Sequence, residues 1–284
     1  MIALTGASGH LGQLTLTHLL QKTPASQLVA IVRDPAKLGT HRHPGIAIRT
    51  ADYDDTVALE EALDGVETLL QVSSSASGSV ASRQELNVVQ AAAAAGVRKI
   101  VYTSTLVPGA DAVFLAGRTC GATEQAIKDH GLAYTFFRNS MYFETIPLFI
   151  GNALQDGMIY YPGGNGKVSF VSREDIAEAL AIVLTESGQH ENVDYRITGA
   201  EALSFAGLAG LLNARKGVDS SYFDIPEADF VEELGKAGVP QAEIEFTVSM
   251  AASIRAGEFE AVDDRLEKLL GRKRRAVSTY IGEL

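Results

Sequence analysis

The apolar positions of the chain follow two periods, one typical of strands and one typical of helices. Leu28–Val32 is a continuous apolar run, as expected of a strand buried on both faces of a parallel sheet, whereas Leu11–Leu20 has apolar residues at helical spacing. The pattern predicts strands at Ile2–Leu4, Leu28–Val32, Ile46–Arg49, Thr68–Val72, Lys99–Tyr102 and Ala133–Arg138. It predicts intervening helices at Leu11–Leu20, Asp54–Leu63, Gln84–Ala95 and Gly121–His130. Strands that alternate with helices imply crossover connections and an α/β fold with a doubly wound parallel sheet.

The first predicted strand runs directly into three glycines, Gly6, Gly9 and Gly12, and then into the first helix. Glycine is needed where a chain turns sharply, where its backbone approaches a pyrophosphate and where a helix packs closely on a strand. The free N–H groups of the first helical turn would then face the phosphates. Three such glycines also suit a simple tight turn, but their position between a strand and a helix predicts dinucleotide binding.

The end of the second strand indicates which dinucleotide is bound. An acidic residue at this point binds the ribose hydroxyls of NAD, whereas an arginine suits the 2′-phosphate of NADP. Arg33 follows Val32 directly, and Lys37 lies one helical turn further on. We therefore predict NADPH as the cofactor. The adjacent Asp34 means that NADH is still a possible cofactor. The alternative interpretation of Arg33 is a solvated arginine at the end of a strand.

After about residue 200 the pattern becomes mostly helical. Helices are predicted at Ser204–Arg215, Pro226–Ala237, Ala242–Ala256 and Val262–Leu270. We expect a Rossmann-type domain over residues 1–150, to which residues 168–200 return. Residues 200–284, with about 151–167, would form a smaller, mostly helical substrate-binding lobe. This lobe would cover the carboxyl ends of the strands, where ligands of α/β proteins bind.

Charge and composition narrow the partners of the chain. Its net charge of −11 argues against nucleic-acid binding, which depends on neutralising phosphates. The basic run Gly271–Arg275 is interpreted as a solvated face near a helix end, with an anion patch as the alternative. The single cysteine, Cys120, the start at the first strand and the lack of a long apolar stretch predict a cytoplasmic protein without a membrane segment. No metal site is predicted, and a homodimer is one option for the assembly.

Several short motifs together resemble one known family. They are Thr5–Gly12, Val32–Lys37, Ala51–Tyr53, Ser73–Ser75, Tyr102–Ser104 and Phe137–Asn139. This combination is similar to the NmrA-like branch of the atypical short-chain dehydrogenase/reductase superfamily. Within that branch, Pro24–Gln27 and Ala30–Arg33 resemble the bacterial NAD(P)H:quinone reductase type 2 and triphenylmethane reductase group. The resemblance covers nearly the whole chain and is loosest toward the C-terminus.

The resemblance implies a set of site residues. Contacts with NADPH are expected from Gly6, Ala7, Ser8, Gly9, His10, Leu11, Gly12, Arg33, Lys37, Asp52, Ser73, Ser74, Ser75, Thr103, Asn139 and Arg173. Catalytic roles are expected for Asn139 and Tyr142, which would orient the nicotinamide or the acceptor, and for Ser104 at the end of the fifth strand. Three alternatives stay open: a loop carboxylate for Asp52, a self-satisfied turn for Ser73–Ser75 and a helix-start ion pair for Arg173.

One departure from the wider superfamily limits the chemistry. Most short-chain dehydrogenases use Tyr-x-x-x-Lys, in which the lysine lowers the pKa of the tyrosine so that it can exchange a proton with an alcohol. The corresponding positions here are Ala116 and Cys120, so epimerase, dehydratase and alcohol dehydrogenase activities are not expected. Cys120 has no histidine at motif spacing and is interpreted as an inert, buried thiol.

A reaction that does not require this pair is hydride transfer from NADPH to a quinone or a similar conjugated electrophile. This transfer needs little proton assistance. The predicted protein is therefore a quinone reductase-like oxidoreductase. A non-catalytic, NADP(H)-binding redox sensor of the NmrA type is the alternative, because it would lack the same pair. An isoflavone reductase-like enzyme would need a lysine near Cys120, and Lys128 is misplaced for that role.

Overall fold

The computed structural model describes residues 1–41 and 43–284. The strands are β1 (Ile2–Leu4), β2 (Leu28–Val32), β3 (Ala47–Thr50), β4 (Thr68–Gln71), β5 (Lys99–Thr105), β6 (Ala133–Asn139), β7 (Met158–Tyr160), β8 (Lys167–Val168), β9 (Val193–Ile197), β10 (Leu203–Ser204) and β11 (Ser221–Phe223). The helices are α1 (His10–Leu20), α2 (Thr56–Ala62), α3 (Gly78–Ala94), α4 (Leu115–Asp129), α5 (Ile146–Ile150), α6 (Ala153–Asp156), α7 (Arg173–Thr185), α8 (Phe205–Lys216), α9 (Glu227–Lys236), α10 (Gln241–Arg255), α11 (Arg265–Leu270) and α12 (Val277–Glu283). Within these described residues, no helix combines the length and the apolar character needed to cross a bilayer.

Seven strands form one sheet in the order β3-β2-β1-β4-β5-β6-β9. Strand β1 pairs in parallel with both β2 and β4, and the pairs β2–β3 and β4–β5 are also parallel. The chain therefore moves outward from β1 to β3 and then returns to the other side of β1. This reversal opens a crevice at the carboxyl ends of β1 and β4, which is where sheets of this kind bind ligands. The predicted doubly wound α/β fold is confirmed.

The central strands carry side chains that are buried in one core cluster with apolar residues of α2, α3 and α4. Ala3 lies opposite both Val29 and Leu69, and Leu69 lies opposite Ile100, so one row of side chains crosses four strands. All four side chains are fully buried. Burying the valine, leucine and isoleucine side chains of this row contributes about 1.5–3 kcal/mol each relative to leaving them exposed. The apolar row thus stabilises the strand ends that carry the polar loops described below.

The chain divides into two compact units, whose boundaries differ from those expected. The first comprises residues 1–105, 119–138 and 173–195, and the second comprises 106–118, 139–172 and 196–284. Residues 106–118, 139–150, 168–172 and 196–199, which the sequence pattern placed in the first domain, therefore belong to the second unit. A reason is that Phe149 packs in an aromatic cluster with Phe170 and Phe205, at ring-centroid distances of 5.9 and 5.7 Å. The role of the second unit in substrate binding stays a prediction.

Some local expectations from the sequence are wrong. Helix α3 begins at Gly78 and α4 begins at Leu115, whereas the predicted starts are Gln84 and Gly121. The predicted starts are late because the first turns of both helices lack the apolar spacing of the later turns. The basic run at residues 271–275 is not entirely a solvated face. The side chain of Arg274 is only 6% exposed and pairs with Glu267 at 3.5 Å. Its Nη1 also donates to the carbonyl oxygen of Thr198 at 2.8 Å, so this arginine has a structural role.

Candidate functional site

The loop between β1 and α1 depends on glycine at two points. Gly6 has a φ of +61°, in the left-handed region that favours glycine, and its carbonyl accepts the Gly9 N–H at 2.9 Å. A Cβ atom at Gly12 would lie 2.3 Å from that same carbonyl oxygen. In the described part of the chain, no side chain caps the N-terminus of α1, whose N-cap is Gly9. An uncapped helix N-terminus at the carboxyl end of a strand is suited to bind a phosphate.

A cavity of about 280 Å³ opens beside this loop, at the carboxyl ends of β1 to β4. Nine of the predicted cofactor contacts line it: Gly6, Ser8, Gly9, Arg33, Lys37, Asp52, Ser73, Ser74 and Ser75. The other lining residues are Ile31, Val32, Asp34, Ala51, Tyr53, Val72 and Gln84. Parallel strand pairing thus brings residues from four separate loops to one cavity.

The other predicted cofactor contacts do not line this cavity. The side chains of Ala7 and Leu11 are buried, and Gly12 brings the backbone of α1 close to the backbone of the loop. His10 is exposed at the first position of α1. Thr103 is buried behind Ser73, and Arg173 is the first residue of α7. Direct contacts from these residues stay predictions.

Two cations and two carboxylates lie on the cavity wall. Arg33 and Lys37 carry the positive charges, and Asp34 and Asp52 carry the negative ones. The side chain of Arg33 is 71% exposed, and its Nη1 lies 3.8 Å from Oδ2 of Asp52. Arginine binds phosphate oxygens through several N–H donors, so this end of the cavity suits a phosphate better than a neutral ribose.

The serine loop after β4 is held mainly by residues outside it. The N–H of Ser73 donates to Thr103 Oγ1 at 2.8 Å, and the N–H of Ser74 donates to Glu85 Oε1 at 2.9 Å. The hydroxyl of Ser74 donates to Gln84 Oε1 at 2.6 Å. It also accepts the N–H of Ala76 at 3.1 Å, the one local bond of the kind that a self-satisfied turn would make. Helix α3 and strand β5 therefore position this loop.

Glu85 is a site-supporting residue that sequence reasoning missed. Its side chain is buried, with one oxygen held by the Ser74 N–H and the other accepting the hydroxyl of Tyr102. Burial raises the pKa of this carboxyl group, although the hydrogen bonds to it act in the opposite direction. A signal was present in the sequence, because Glu85 lies three and four residues before Val88 and Val89, on the apolar face of α3.

Tyr53 and Gln84 were also missed, and both join neighbouring loops at the cavity. The hydroxyl of Tyr53 donates to the carbonyl oxygen of Val72 at 3.0 Å, which ties the loop after β3 to the loop after β4. Gln84 Nε2 donates to Asp54 Oδ2 at 2.9 Å, while Gln84 Oε1 accepts the hydroxyl of Ser74. These bonds set the spacing of the two loops, and no sequence pattern predicts such long-range pairs.

Ser104, one of the predicted catalytic residues, lies in a buried polar network. Its hydroxyl donates to Glu124 Oε1 at 2.7 Å, and Arg138 donates to both oxygens of Glu124, at 3.0 and 2.7 Å. The hydrogen bonds to Glu124 raise the pKa of Arg138. The structure gives the Ser104 hydroxyl a structural partner, and its catalytic role stays a prediction.

Asn139 ends β6 with a buried amide group. The residue is 4% exposed, and among residues 1–41 and 43–284 neither Oδ1 nor Nδ2 has a hydrogen-bond partner. An unpaired buried amide costs about 1–3 kcal/mol, so such a group is expected where a ligand completes it. Tyr142 is half-buried, and its backbone forms a parallel bridge with Val171. Roles for these two side chains in catalysis stay predictions.

Cys120 is expected to be unreactive in the folded protein. It is 5% exposed, and burial raises its pKa from 9.0 to about 12. Because only the thiolate reacts, the shift alone slows modification at pH 8 by about a thousandfold relative to the unfolded chain. Reaction with an aromatic disulfide reagent, followed with and without guanidinium, checks this. Equal rates in both conditions would show that the thiol is accessible and ionised.

Comparison with known proteins identifies the family. Residues 6–187, which include the glycine loop and the whole cavity wall, match the model of the NAD(P)H-binding family. The chain belongs to this family. It is also 37% identical to quinone oxidoreductase 2 of Escherichia coli (strain K12) over 284 residues, which cover 100% of this chain and 98% of that protein.

Solved structures agree with this family assignment. The NADPH-dependent quinone oxidoreductase of Escherichia coli, crystallised with NADPH, matches with a TM-score of 0.93 and 36% identity over 100% of this chain and 99% of its own. Citrobacter sp. triphenylmethane reductase, crystallised with NADP(H), matches with a TM-score of 0.90 and 34% identity over the same shares. The resemblance seen in the sequence motifs is confirmed.

Proposed function

We propose that this NAD(P)H-binding protein is an NADPH-dependent reductase that transfers a hydride to quinones or similar conjugated electrophiles. The observation that carries the proposal is one cavity in which the glycine loop, an uncapped helix N-terminus and two cations at the adenosine end lie together. The similarity to a quinone oxidoreductase along the whole chain supports the acceptor class.

The residues of the first unit suit the cofactor. The N–H groups at the start of α1 would bind the pyrophosphate, and the absence of a side chain at Gly12 lets the helix approach the loop backbone closely. Arg33 and Lys37 would bind the 2′-phosphate, and Ser73–Ser75 offer hydroxyl and backbone groups along the cavity wall. We keep Thr103 and Arg173 as proposed contacts.

The acceptor chemistry follows from what the chain contains and what it lacks. Bound NADPH supplies a hydride to the acceptor. A quinone spreads the resulting negative charge over conjugated oxygens, and water can protonate it afterwards, so no tyrosine–lysine pair is needed at Ala116 and Cys120. We propose that the unpaired amide of Asn139 orients the nicotinamide or the acceptor, with Tyr142 beside it in the same role.

The decisive experiment follows NADPH absorbance with the purified protein and a panel of benzo- and naphthoquinones. Acceptor-dependent loss of NADPH, slower with NADH, is the expected result. Arg33→Ala serves as an internal control, because it should slow the NADPH reaction while leaving the NADH reaction nearly unchanged. NADPH binding without turnover of any quinone would favour the redox-sensor alternative.

Replacing Tyr142 by phenylalanine should change kcat by less than about tenfold, because we assign this residue an orienting role and not that of an obligatory acid. Steady-state kinetics with NADPH and one naphthoquinone measures this. Tyr160→Phe is the matched control, since Tyr160 is an exposed tyrosine of β7 and should change nothing. A loss of several orders of magnitude on Tyr142→Phe would show that the hydroxyl donates an essential proton.

Two finer statements extend the proposal. We infer that the acceptor is a small-molecule quinone, because the chain is similar to a quinone oxidoreductase. We infer a cytoplasmic location from the amino-acid composition. A homodimer stays a prediction that sedimentation or light scattering can test.

A further inference from the structure

The pairing of β2 with β3 brings Arg33 and Asp52 together. In the parallel register Val32 lies opposite Thr50, and the N–H of Ala51 donates to the carbonyl oxygen of Val32 at 3.2 Å. The next residues to emerge at this edge of the sheet are Arg33 from β2 and Asp52 from β3. Their proximity is therefore a consequence of the backbone pairing.

The carboxylate of Asp52 is held in place by its own turn. Its Oδ1 accepts the N–H of Asp54 at 3.0 Å, and its carbonyl oxygen accepts the N–H of Asp55 at 3.0 Å. This leaves Oδ2 on the side of Arg33, at 3.8 Å from Nη1. An exposed ion pair at this distance adds little to the stability of the fold. Its position matters more, because it places a negative charge beside the guanidinium that a 2′-phosphate would use.

We propose that Asp52 determines cofactor specificity by competing with the 2′-phosphate for Arg33, and so limits the preference of the site for NADPH over NADH. This inference rests on the proposed function, in which Arg33 receives the 2′-phosphate. A phosphate dianion that binds Arg33 must displace Asp52 from the guanidinium or tolerate a carboxylate beside it. Displacing Asp52 and binding next to its carboxylate both cost free energy. NADH has only hydroxyl groups on that ribose, so its binding carries neither cost.

The second carboxylate of the cavity is placed differently. Asp34 Oδ1 accepts the N–H of Ala36 at 2.9 Å, so this side chain serves the turn that follows β2. Within the part of the chain that the structure describes, Asp52 is the carboxylate that pairs with Arg33. Asp52 is thus the stronger candidate for the specificity role, although both residues line the cavity.

The test compares two nucleotides that differ only in the 2′-phosphate. Calorimetric titration with 2′,5′-ADP and with 5′-AMP measures the contribution of that group without any turnover. Asp52→Asn removes the charge and keeps an oxygen for the Asp54 N–H. We expect this variant to bind 2′,5′-ADP about three- to tenfold more tightly, with the affinity for 5′-AMP changed less than about twofold.

Two further variants make the result specific. Asp55→Asn removes the same charge three residues away, at the N-cap of α2, where asparagine also caps well. It lies outside the cavity lining and should leave both affinities unchanged. In the double variant Arg33→Ala/Asp52→Asn the gain for 2′,5′-ADP should disappear, because the competition requires Arg33.

Several outcomes would overturn the proposal. Weaker binding of both nucleotides to the Asp52→Asn variant would make Asp52 an adenine contact that both cofactors share. An equal gain in affinity for 2′,5′-ADP in the Asp55→Asn variant would show that the effect comes from the net charge of the protein and not from the position of Asp52. Failure of the proposed function has a different signature, namely 2′,5′-ADP binding that follows these expectations while no quinone is reduced.

Discussion

Replacing Gly12 by alanine is expected to weaken NADPH binding by at least about a hundredfold. The added Cβ would lie 2.3 Å from the Gly6 carbonyl oxygen and 2.8 Å from Cα of Ala7, and both of these are backbone atoms that cannot rotate away. Helix α1 would have to move off β1, which displaces the N–H groups that face the phosphates. Overpacking of this kind costs typically about 1–3 kcal/mol of folding free energy, occasionally more, in addition to the loss of binding. Calorimetric titration with NADPH and thermal unfolding measure the two effects.

Gly210→Ala is the matched control for this change. Gly210 lies inside α8, and a Cβ at this position would meet no atom within 4 Å. Alanine should raise the unfolding temperature slightly there, because it is the better helix former. Should the Gly12→Ala protein bind NADPH within threefold of the natural chain, the close approach of α1 to the loop would not be essential for the cofactor site.

Arg33→Ala should weaken NADPH binding by about 10- to 100-fold and change NADH binding less than twofold. A hydrogen bond to a charged group contributes about 1.5–3 kcal/mol, and arginine offers a phosphate more than one such bond. NADH has no 2′-phosphate and loses nothing when the guanidinium is removed. Titration of each cofactor into both proteins gives the ratio directly. This ratio also reports on Asp52, which shares the same guanidinium.

Arg98→Ala serves as the control for the loss of a positive charge. The side chain of Arg98 is 74% exposed, close to the 71% of Arg33, and it pairs with Glu67 away from the cavity lining. NADPH and NADH should each bind the Arg98→Ala variant with the same affinity as the natural chain. Equal losses for NADPH and NADH on Arg33→Ala would mean that Arg33 contacts a part of the molecule that both cofactors share.

The central strands could be predicted from the sequence because their environment is uniform. Strands β1 and β2 begin and end at the expected residues, since a strand covered on both faces needs an unbroken apolar run. The first turns of α3 and α4 could not be predicted, because they contain small and polar residues such as Gly78 and Ser79. Residues 78–80 of α3 are exposed, so no buried apolar face marks this turn in the sequence.

The candidate site was predictable where its chemistry depends on single residues. Gly6 and Gly12 are needed for backbone reasons, and Arg33 is recognisable by its position at a strand end. The sequence marks Glu85 only as a carboxylate on the apolar face of α3, and it does not show that Glu85 and Gln84 bond to Ser74, eleven and ten residues away in the chain. Such pairs are fixed by how a helix lies on a sheet, which residue spacing does not reveal.

The sequence by itself therefore determined the α/β alternation, the glycine loop and the cationic end of the cofactor site. These features depend on local backbone freedom and on residues that follow a strand directly. Only the tertiary structure decided that Asp52 lies beside Arg33 and that residues 139–150 join the second unit. The physical reason is that strand register and side-chain packing join segments far apart in the chain, and they decide which charges compete for the same ligand.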